Sequence, residues 1–146
     1  MQALGPDHYR RLERLARAYR REHAPEYEAT RRANPRLEVD ALCFQRLEDE
    51  LLGVLVTPCS LSLVLVAPSP GQPPAGGSDR RIVCLPGGRY AFVRECLESE
   101  DDCLWRCEVL DDLSALEGRG EAGRLAQRLM QCVMMPDEPS SGSAGT

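Results

Sequence analysis

Positions 51–66 read LLGVLVTPCSLSLVLV, a stretch without a charged residue in a chain where 28% of residues are charged. A membrane-spanning helix needs about 20 apolar residues, and this stretch is shorter and carries Pro58 at its middle. Its valines are β-branched and favour strands. We therefore predict two strands, Leu51–Thr57 and Leu61–Val66, separated by a corner at Pro58. Because both are apolar on both faces, we expect them in the middle of a sheet that helices cover.

The N-terminal segment has the periodicity of a helix. Apolar and aromatic side chains recur at helical spacing from Asp7 to His23, and most of the arginines fall on the opposite face. Asp7 follows a proline and is the expected N-cap. Pro25 is expected to end this helix and to open a shorter one that runs to Arg32.

Further strands and a closing helix are predicted around the apolar stretch. Asn34-Pro35 stops helical structure, and apolar and polar residues then alternate from Leu37 to Cys43, as in a half-buried strand. Period-2 patterns, turn residues and one helical pattern predict the rest: strands at 82–85, 89–97 and 104–110, a turn at 86–88 and a helix at 121–135.

Helices at both ends of a run of strands indicate an α+β fold. We expect a two-layer sandwich in which a mainly antiparallel sheet packs against an N-terminal and a C-terminal helix. A chain of 146 residues suffices for one domain, which we assign to residues 1–135. Residues 136–146 have the composition of a disordered tail.

The charges are distributed unevenly. Residues 1–36 hold nine arginines against five acidic residues, and residues 37–146 hold nine arginines against eighteen. The acidic residues are densest in 95–112, ECLESEDDCLWRCEVLDD. Such a surface repels nucleic acid and favours a basic partner. A solvated acidic face without a partner is the alternative.

The N-terminus lacks the apolar core of a signal peptide, so we expect a cytoplasmic protein. The seven cysteines should then be reduced. Cys103 and Cys107 lie about 13 Å apart on a strand, too far to share a metal ion, and the other five have the apolar neighbours of inert core thiols. We therefore expect no metal, no cofactor and no catalytic site, and no insertion into a membrane.

Three segments, NPRLEVDALCF, LLGVLVTPCSLSLVLVAP and LPGGRYAFV, resemble in sequence and order the HybE/HupJ family of [NiFe]-hydrogenase assembly chaperones. The chain departs from the family pattern at Cys59, where a tryptophan is usual, and across residues 107–116. The resemblance implies structural roles for the following motif residues: Asn34, Pro35, Val39, Phe44, Gly53, Pro86 and Gly88.

The resemblance implies a non-enzymatic chaperone that holds the hydrogenase small-subunit precursor, which bears a twin-arginine signal, before export. The large subunit and other maturation proteins are further expected partners. An accessory protein that uses its cysteines to handle metal or redox equivalents, protecting cluster assembly, is the alternative.

The candidate partner-binding residues combine the Pro58 corner, an aromatic strand and the acidic run. We expect the carboxylates to steer the basic signal region and the apolar part of the signal to pack beside the two aromatic rings. The set is Thr57, Pro58, Cys59, Tyr90, Phe92, Glu95, Glu98, Glu100, Asp101 and Asp102.

Overall fold

The computed structural model describes residues 4–68, 79–97 and 102–136. Two helices enclose six strands in chain order: α1 (Pro6–Ala29), β1 (Asp40–Leu47), β2 (Glu50–Val56), β3 (Leu61–Val66), β4 (Arg80–Leu85), β5 (Gly88–Leu97), β6 (Asp102–Leu110) and α2 (Arg119–Met134). The strands form one sheet in the order β1-β2-β3-β6-β5-β4, and each neighbouring pair is antiparallel. The predicted α+β class, with its antiparallel sheet and terminal helices, is confirmed.

Strands β2 and β3 occupy the centre of the sheet, as the uncharged stretch predicts. They pair with each other from Leu51–Val66 to Val56–Leu61, and nearly every residue in them is buried. Successive side chains point to opposite faces, so Leu52 and Val54 join one core while Leu51 and Leu55 join the other.

The two helices cover opposite faces of the sheet. Leu12, Leu15 and Tyr19 of α1 pack in one core, and Ala126, Met130 and Val133 of α2 pack in the other. The sheet is therefore the middle of three layers, one more than the predicted two-layer sandwich. The physical reason is the apolar character of both faces of β2 and β3, which requires a cover on each side.

Helix α1 is longer than predicted and begins differently. It runs without a break through Pro25 to Ala29, and its N-cap is Gly5, not Asp7. The Gly5 carbonyl accepts hydrogen bonds from the amides of His8 and Tyr9. The prediction of a break is wrong because Tyr27, beyond the proline, packs against the core, and this packing compensates for the hydrogen bond that proline cannot donate.

Strand β1 begins at Asp40 and not at Leu37. Leu37 and Val39 are buried but precede the strand. A bulge shifts the register between Leu42 and Gln45, and Cys43 within it has a φ of 59°. A bulge changes which side chains face inward, so simple alternation does not give the strand limits.

Several motif residues have visible structural roles. The buried Asn34 amide donates to the carbonyls of Leu113 and Leu116, both at 2.9 Å, and thereby ties the segment before β1 to the segment before α2. The Phe44 ring lies directly over Gly53. Gly88, in the turn after Pro86, has a φ of 148°, a backbone conformation that residues other than glycine rarely adopt.

Within the three described ranges, neither helix is long and apolar enough to cross a membrane.

Candidate functional site

A cleft of about 460 Å³ opens between the C-terminal half of α1, the β2–β3 turn and the face of β5 and β6 that α1 partly covers. The helix provides Tyr19, His23 and Tyr27, whose spacing of four residues places them on one face. The three rings form a ladder. The centroids of Tyr19 and His23 are 4.1 Å apart, and those of His23 and Tyr27 are 6.2 Å apart.

Glu95 of β5 lies beneath this ladder. Its carboxylate accepts a hydrogen bond from the Tyr19 hydroxyl at 3.2 Å, and its other oxygen is 3.0 Å from Nε2 of His23. Burial, with the Glu95 charge added, raises the pKa of Tyr19 well above its usual range, so the phenol stays protonated as a donor. Two side chains from the helix therefore fix the orientation of the carboxylate.

Arg106 of β6 forms the floor of the cleft. Burial opposes its charge, but Tyr19, Glu95 and Glu108 outweigh this, and the pKa of the guanidinium is raised. One terminal nitrogen lies 2.5 Å from Glu108 and 3.4 Å from the hydroxyl of Ser60. Within the described residues, its buried Nε has no hydrogen-bond partner.

The β2–β3 turn closes one end of the cleft. The hydroxyl oxygen of Thr57 accepts hydrogen bonds from the backbone amides of Cys59 and Ser60, at 3.1 and 2.9 Å. The Pro58 carbonyl accepts a hydrogen bond from the backbone amide of Asn34 at 2.9 Å. Thr57 is buried, whereas Pro58 and Cys59 are half-buried. The Thr57 hydroxyl therefore organises the turn and leaves the next two residues at its surface.

The charge balance of the cleft is acidic. Its lining includes four carboxylates, those of Glu26, Glu95, Glu108 and Asp111, against the guanidinium groups of Arg32 and Arg106. Burial, aided by the charge of Glu26, raises the pKa of the Cys59 thiol, although Arg32 acts in the opposite direction. Cys59 is thus kept as a neutral thiol, the form that is not nucleophilic.

The structure brings three of the predicted residues, Thr57, Cys59 and Glu95, together in the cleft. It does not bring the two aromatic residues to them. Phe92 is fully buried and Tyr90 packs partly against the same core, under α2. Alternate residues of a strand face opposite sides, so these rings and Glu95 lie on different faces of the sheet.

The acidic run also differs from the prediction. Asp102 is not available for steering, because its side chain is 9% exposed and forms an ion pair with Arg11 of α1. Glu98, Glu100 and Asp101 lie outside the described residues. Of the two steering residues that the structure describes, Glu95 lines the cleft and Asp102 does not.

Sequence reasoning missed the ladder of rings. The helical periodicity predicts Tyr19 and His23 on the apolar face of the first helix, and Tyr27 lies beyond the predicted end of that helix at Pro25. The signal that could have revealed them is the repeat of aromatic rings every four residues across that proline.

The cysteines contradict the prediction of reduced core thiols. Cys96 and Cys103 form a disulfide, and Cys43, Cys84 and Cys132 are exposed. The local apolar neighbours of these residues misled the prediction, because on strands and helices they lie on other faces. Over the described residues, no group of three or more potential ligands among histidine, cysteine and acidic residues could hold a metal ion.

Comparison with known proteins identifies the family. The sequence profile described as "[NiFe]-hydrogenase assembly, chaperone, HybE" matches residues 10–145, which is nearly the whole chain. The protein therefore belongs to this family of hydrogenase assembly chaperones.

Two named relatives have hydrogenase-related descriptions. The hydrogenase expression/formation protein HoxT of Azotobacter vinelandii is 32% identical over 115 residues, 73% of this chain and 72% of the relative. The corresponding HupT protein of Azotobacter chroococcum mcd 1 is 31% identical over 113 residues, 73% and 70% of the two chains.

A solved structure is similar in fold. The solution structure of HybE from Escherichia coli superposes with a TM-score of 0.55 and 25% identity. The match covers 68% of this chain and 62% of the other, so this chain spans less than two thirds of that protein.

Proposed function

We propose that this protein is a non-enzymatic cytoplasmic chaperone that holds the small-subunit precursor of an uptake [NiFe]-hydrogenase before export, and that the cleft binds the basic part of the precursor's twin-arginine signal. The observation that carries this proposal is the composition of the cleft. Four carboxylates and a ladder of aromatic rings line it, and its rim is the Thr57–Ser60 turn, which contains the Thr-Pro of the family motif.

An arginine side chain of the partner fits this chemistry. Carboxylates bind guanidinium groups through paired hydrogen bonds, and aromatic faces attract the same cation. Glu95 is fixed by Tyr19 and His23, while the Glu26 side chain is 63% exposed and Asp111 is exposed. The cleft therefore offers one oriented carboxylate at its floor and two accessible ones at its rim.

Apolar residues beside the cleft suit the segment that follows the arginines. Val93 is 50% exposed and Ile82 is 57% exposed. Val93 is two residues before Glu95 on β5 and pairs with Arg106, and Ile82 of β4 pairs with Ala91. Alternation on the strands places all of these on the cleft side of the sheet. We therefore assign the apolar contact to Val93 and Ile82 in place of Tyr90 and Phe92.

The test is binding of the full chain to the purified small-subunit precursor. Three clients are compared: the intact precursor, a precursor whose two signal arginines are changed to glutamine, and the subunit without its signal. The proposal requires that the intact precursor bind at least tenfold more tightly than either altered form. Equal binding of all three would refute a signal-binding role.

Variants then test the cleft itself. Glu26→Gln with Asp111→Asn, and separately Val93→Ser with Ile82→Ser, should each weaken binding of the intact precursor. The control is Met135→Ser, which removes an apolar side chain that is 61% exposed and that does not line the cleft. If the control weakens binding as much as the cleft variants do, the cleft is not the binding site.

A cysteine-dependent accessory role is the alternative, and the Cys96–Cys103 disulfide is the observation that favours it. Replacement of all seven cysteines by serine separates the two functions. Binding of the precursor should survive this replacement if the protein is a chaperone, and loss of hydrogenase maturation with intact binding would favour the accessory role.

A further inference from the structure

The Cys96–Cys103 disulfide joins two strands at directly opposed positions. Cys96 of β5 pairs with Cys103 of β6 in the antiparallel register, and their Cα atoms are 4.0 Å apart. Such a close pair is typical of the positions in an antiparallel ladder that do not exchange backbone hydrogen bonds. The crosslink therefore adds a connection between β5 and β6 where the backbone provides none.

This connection lies in a short junction. Among the described residues, β5 pairs with β6 over five residue pairs only, from Val93–Arg106 to Leu97–Asp102. In the sheet, β4 lies at one edge and pairs with β5 alone among the described strands. The backbone pairing that attaches the β4–β5 hairpin to the rest of the sheet therefore runs through these five pairs.

The junction also carries cleft residues. Glu95 immediately precedes Cys96 and pairs with Leu104, while Arg106 pairs with Val93. Cys96 and Glu95 project from opposite faces of β5, so a reductant can reach the disulfide from the face of the sheet that is opposite the cleft. Any loosening of the junction would nevertheless move Glu95 relative to Tyr19 and His23, which belong to another element.

A disulfide requires an explanation in a chaperone that acts in the cytoplasm, where disulfides are mostly transient and serve redox sensing or catalysis. We propose that Cys96 and Cys103 are a reversible redox site, reduced by a dithiol protein of the thioredoxin class, and that the oxidised form holds the β4–β5 hairpin and Glu95 firmly at the cleft. The cytoplasmic setting rests on the proposed function.

The chemistry is a thiol–disulfide exchange. Cys96 is exposed and Cys103 is half-buried, so a thiolate of the reductant attacks the sulfur of Cys96. Cys103 leaves as a thiolate and takes up a proton. The second thiol of the reductant loses its proton and attacks the mixed disulfide, which releases Cys96. The chain gains two electrons and two protons, and the reductant becomes a disulfide.

The experiment uses the purified full chain, oxidised and then treated with thioredoxin, thioredoxin reductase and NADPH. Alkylation followed by mass spectrometry counts and locates the free thiols. Treatment should add two alkylated cysteines, at Cys96 and Cys103, while Cys84 and Cys132, exposed and free, should be alkylated before and after. Failure of the pair to oxidise, or failure of thioredoxin to reduce it, would overturn the proposal.

Amide hydrogen exchange tests the structural consequence. Reduction should speed exchange at least tenfold at 93–97 and 102–106 and leave the β2–β3 pair unchanged. The double variant Cys96→Ser, Cys103→Ser should exchange like the reduced protein under both conditions, and Cys84→Ser should behave like the unaltered chain. If reduction leaves amide exchange at these positions unchanged, the disulfide does not hold the β4–β5 hairpin, and this part of the proposal is overturned. No hydrogenase precursor is present in these measurements. The redox proposal can therefore be confirmed when the proposed function is refuted, and it can be refuted when the proposed function is confirmed.

Discussion

Arg11 of α1 and Asp102 at the start of β6 form a buried bidentate ion pair. The two nitrogen–oxygen distances are 2.5 and 3.2 Å, and the side chains are only 6% and 9% exposed. The Nε of Arg11 also donates to the carbonyl of Ala67 at 2.8 Å. The pair therefore joins the helix to the end of β3 and the beginning of β6, three segments that are far apart in sequence.

Removal of one partner should destabilise the fold strongly. Asp102→Asn leaves the Arg11 charge buried without a counter-ion, and such changes cost about 3–5 kcal/mol. Urea unfolding measures this loss. Glu13→Gln is the control, because Glu13 pairs with Arg17 in a bridge whose side chains are about 70% exposed, and an exposed pair contributes less than about 1 kcal/mol. Equal losses in the two variants would contradict a structural role for Asp102.

Gly87, in the β4–β5 turn, should not tolerate a side chain. Its amide donates to the Val133 carbonyl of α2 at 2.8 Å, and a Cβ atom there would lie 2.3 Å from the backbone oxygen of Cys132. A backbone oxygen cannot move aside as a side chain can. Gly87→Ala should therefore lower the free energy of unfolding in urea by about 2–4 kcal/mol, which extends from the upper part of the usual range for overpacking to somewhat above it.

Gly123 provides the matched control for this change. It lies inside α2, and a Cβ there would meet nothing within 4 Å. Gly123→Ala should therefore stabilise the protein by about 0.5–1 kcal/mol, the gain in helix propensity. A cost at Gly87 no larger than the effect at Gly123 would contradict the crowding of Gly87 against the α2 backbone.

Gly53 and Phe44 should behave as one unit. A Cβ on Gly53 would lie 2.2 Å from the Phe44 ring, so Gly53→Ala must displace the ring and should cost about 1–3 kcal/mol. In the Phe44→Leu background the same alanine should cost much less, since the smaller side chain can give way. A double-mutant cycle measured by urea unfolding tests this coupling; additive effects would argue against contact between the two residues.

The sequence was sufficient for the elements whose signals are local. β2 and β3 follow from an uncharged run interrupted by Pro58, and β5 follows from alternation after a Pro-Gly turn. The predicted first helix is shorter than α1, because α1 continues past Pro25 through the packing of Tyr27, which is a tertiary contact. The shift in β1 arises from a bulge, which has no simple pattern in sequence.

The site was harder to predict for a related reason. The cleft joins side chains from α1, the β2–β3 turn and β5–β6, and no local pattern states that these segments meet. The disulfide, by contrast, was within reach. Once β5 and β6 are taken as neighbouring antiparallel strands in which Leu97 pairs with Asp102, Cys96 and Cys103 must face each other.

Alkaline pH should destabilise the protein through Tyr19. Burial raises the pKa of this phenol in the folded state, so the unfolded chain releases the proton first. Its contribution is fully present below the ordinary pKa, about 10, and is lost as the pH rises further. Above that pH, deprotonation of Tyr19 in the unfolded chain should lower the free energy of unfolding by about 1.4 kcal/mol per pH unit. Tyr19→Phe should reduce the slope by this amount in urea unfolding between pH 10 and 11; an unchanged slope would refute the buried phenol.

Steering by the acidic run remains a prediction, and a variant of the run tests it. Asp102 must stay, because its loss would strongly destabilise the fold and imitate a binding defect. Glu98→Ser, Glu100→Ser and Asp101→Ser together should slow association with the small-subunit precursor at low salt and leave dissociation nearly unchanged, because exposed charges act mainly on the encounter rate. The difference from the unaltered chain should shrink at high salt, where screening acts within about 3 Å at 1 M.

The control for net charge changes three exposed acidic residues elsewhere, Glu13, Asp49 and Glu117, to serine. Stopped-flow association at low and high salt compares the three proteins. Steering by the run requires that the control associate nearly as fast as the unaltered chain while the run variant is slower. If both variants slow association equally, the effect comes from total charge, and the carboxylates at 98–101 serve as solubilising surface.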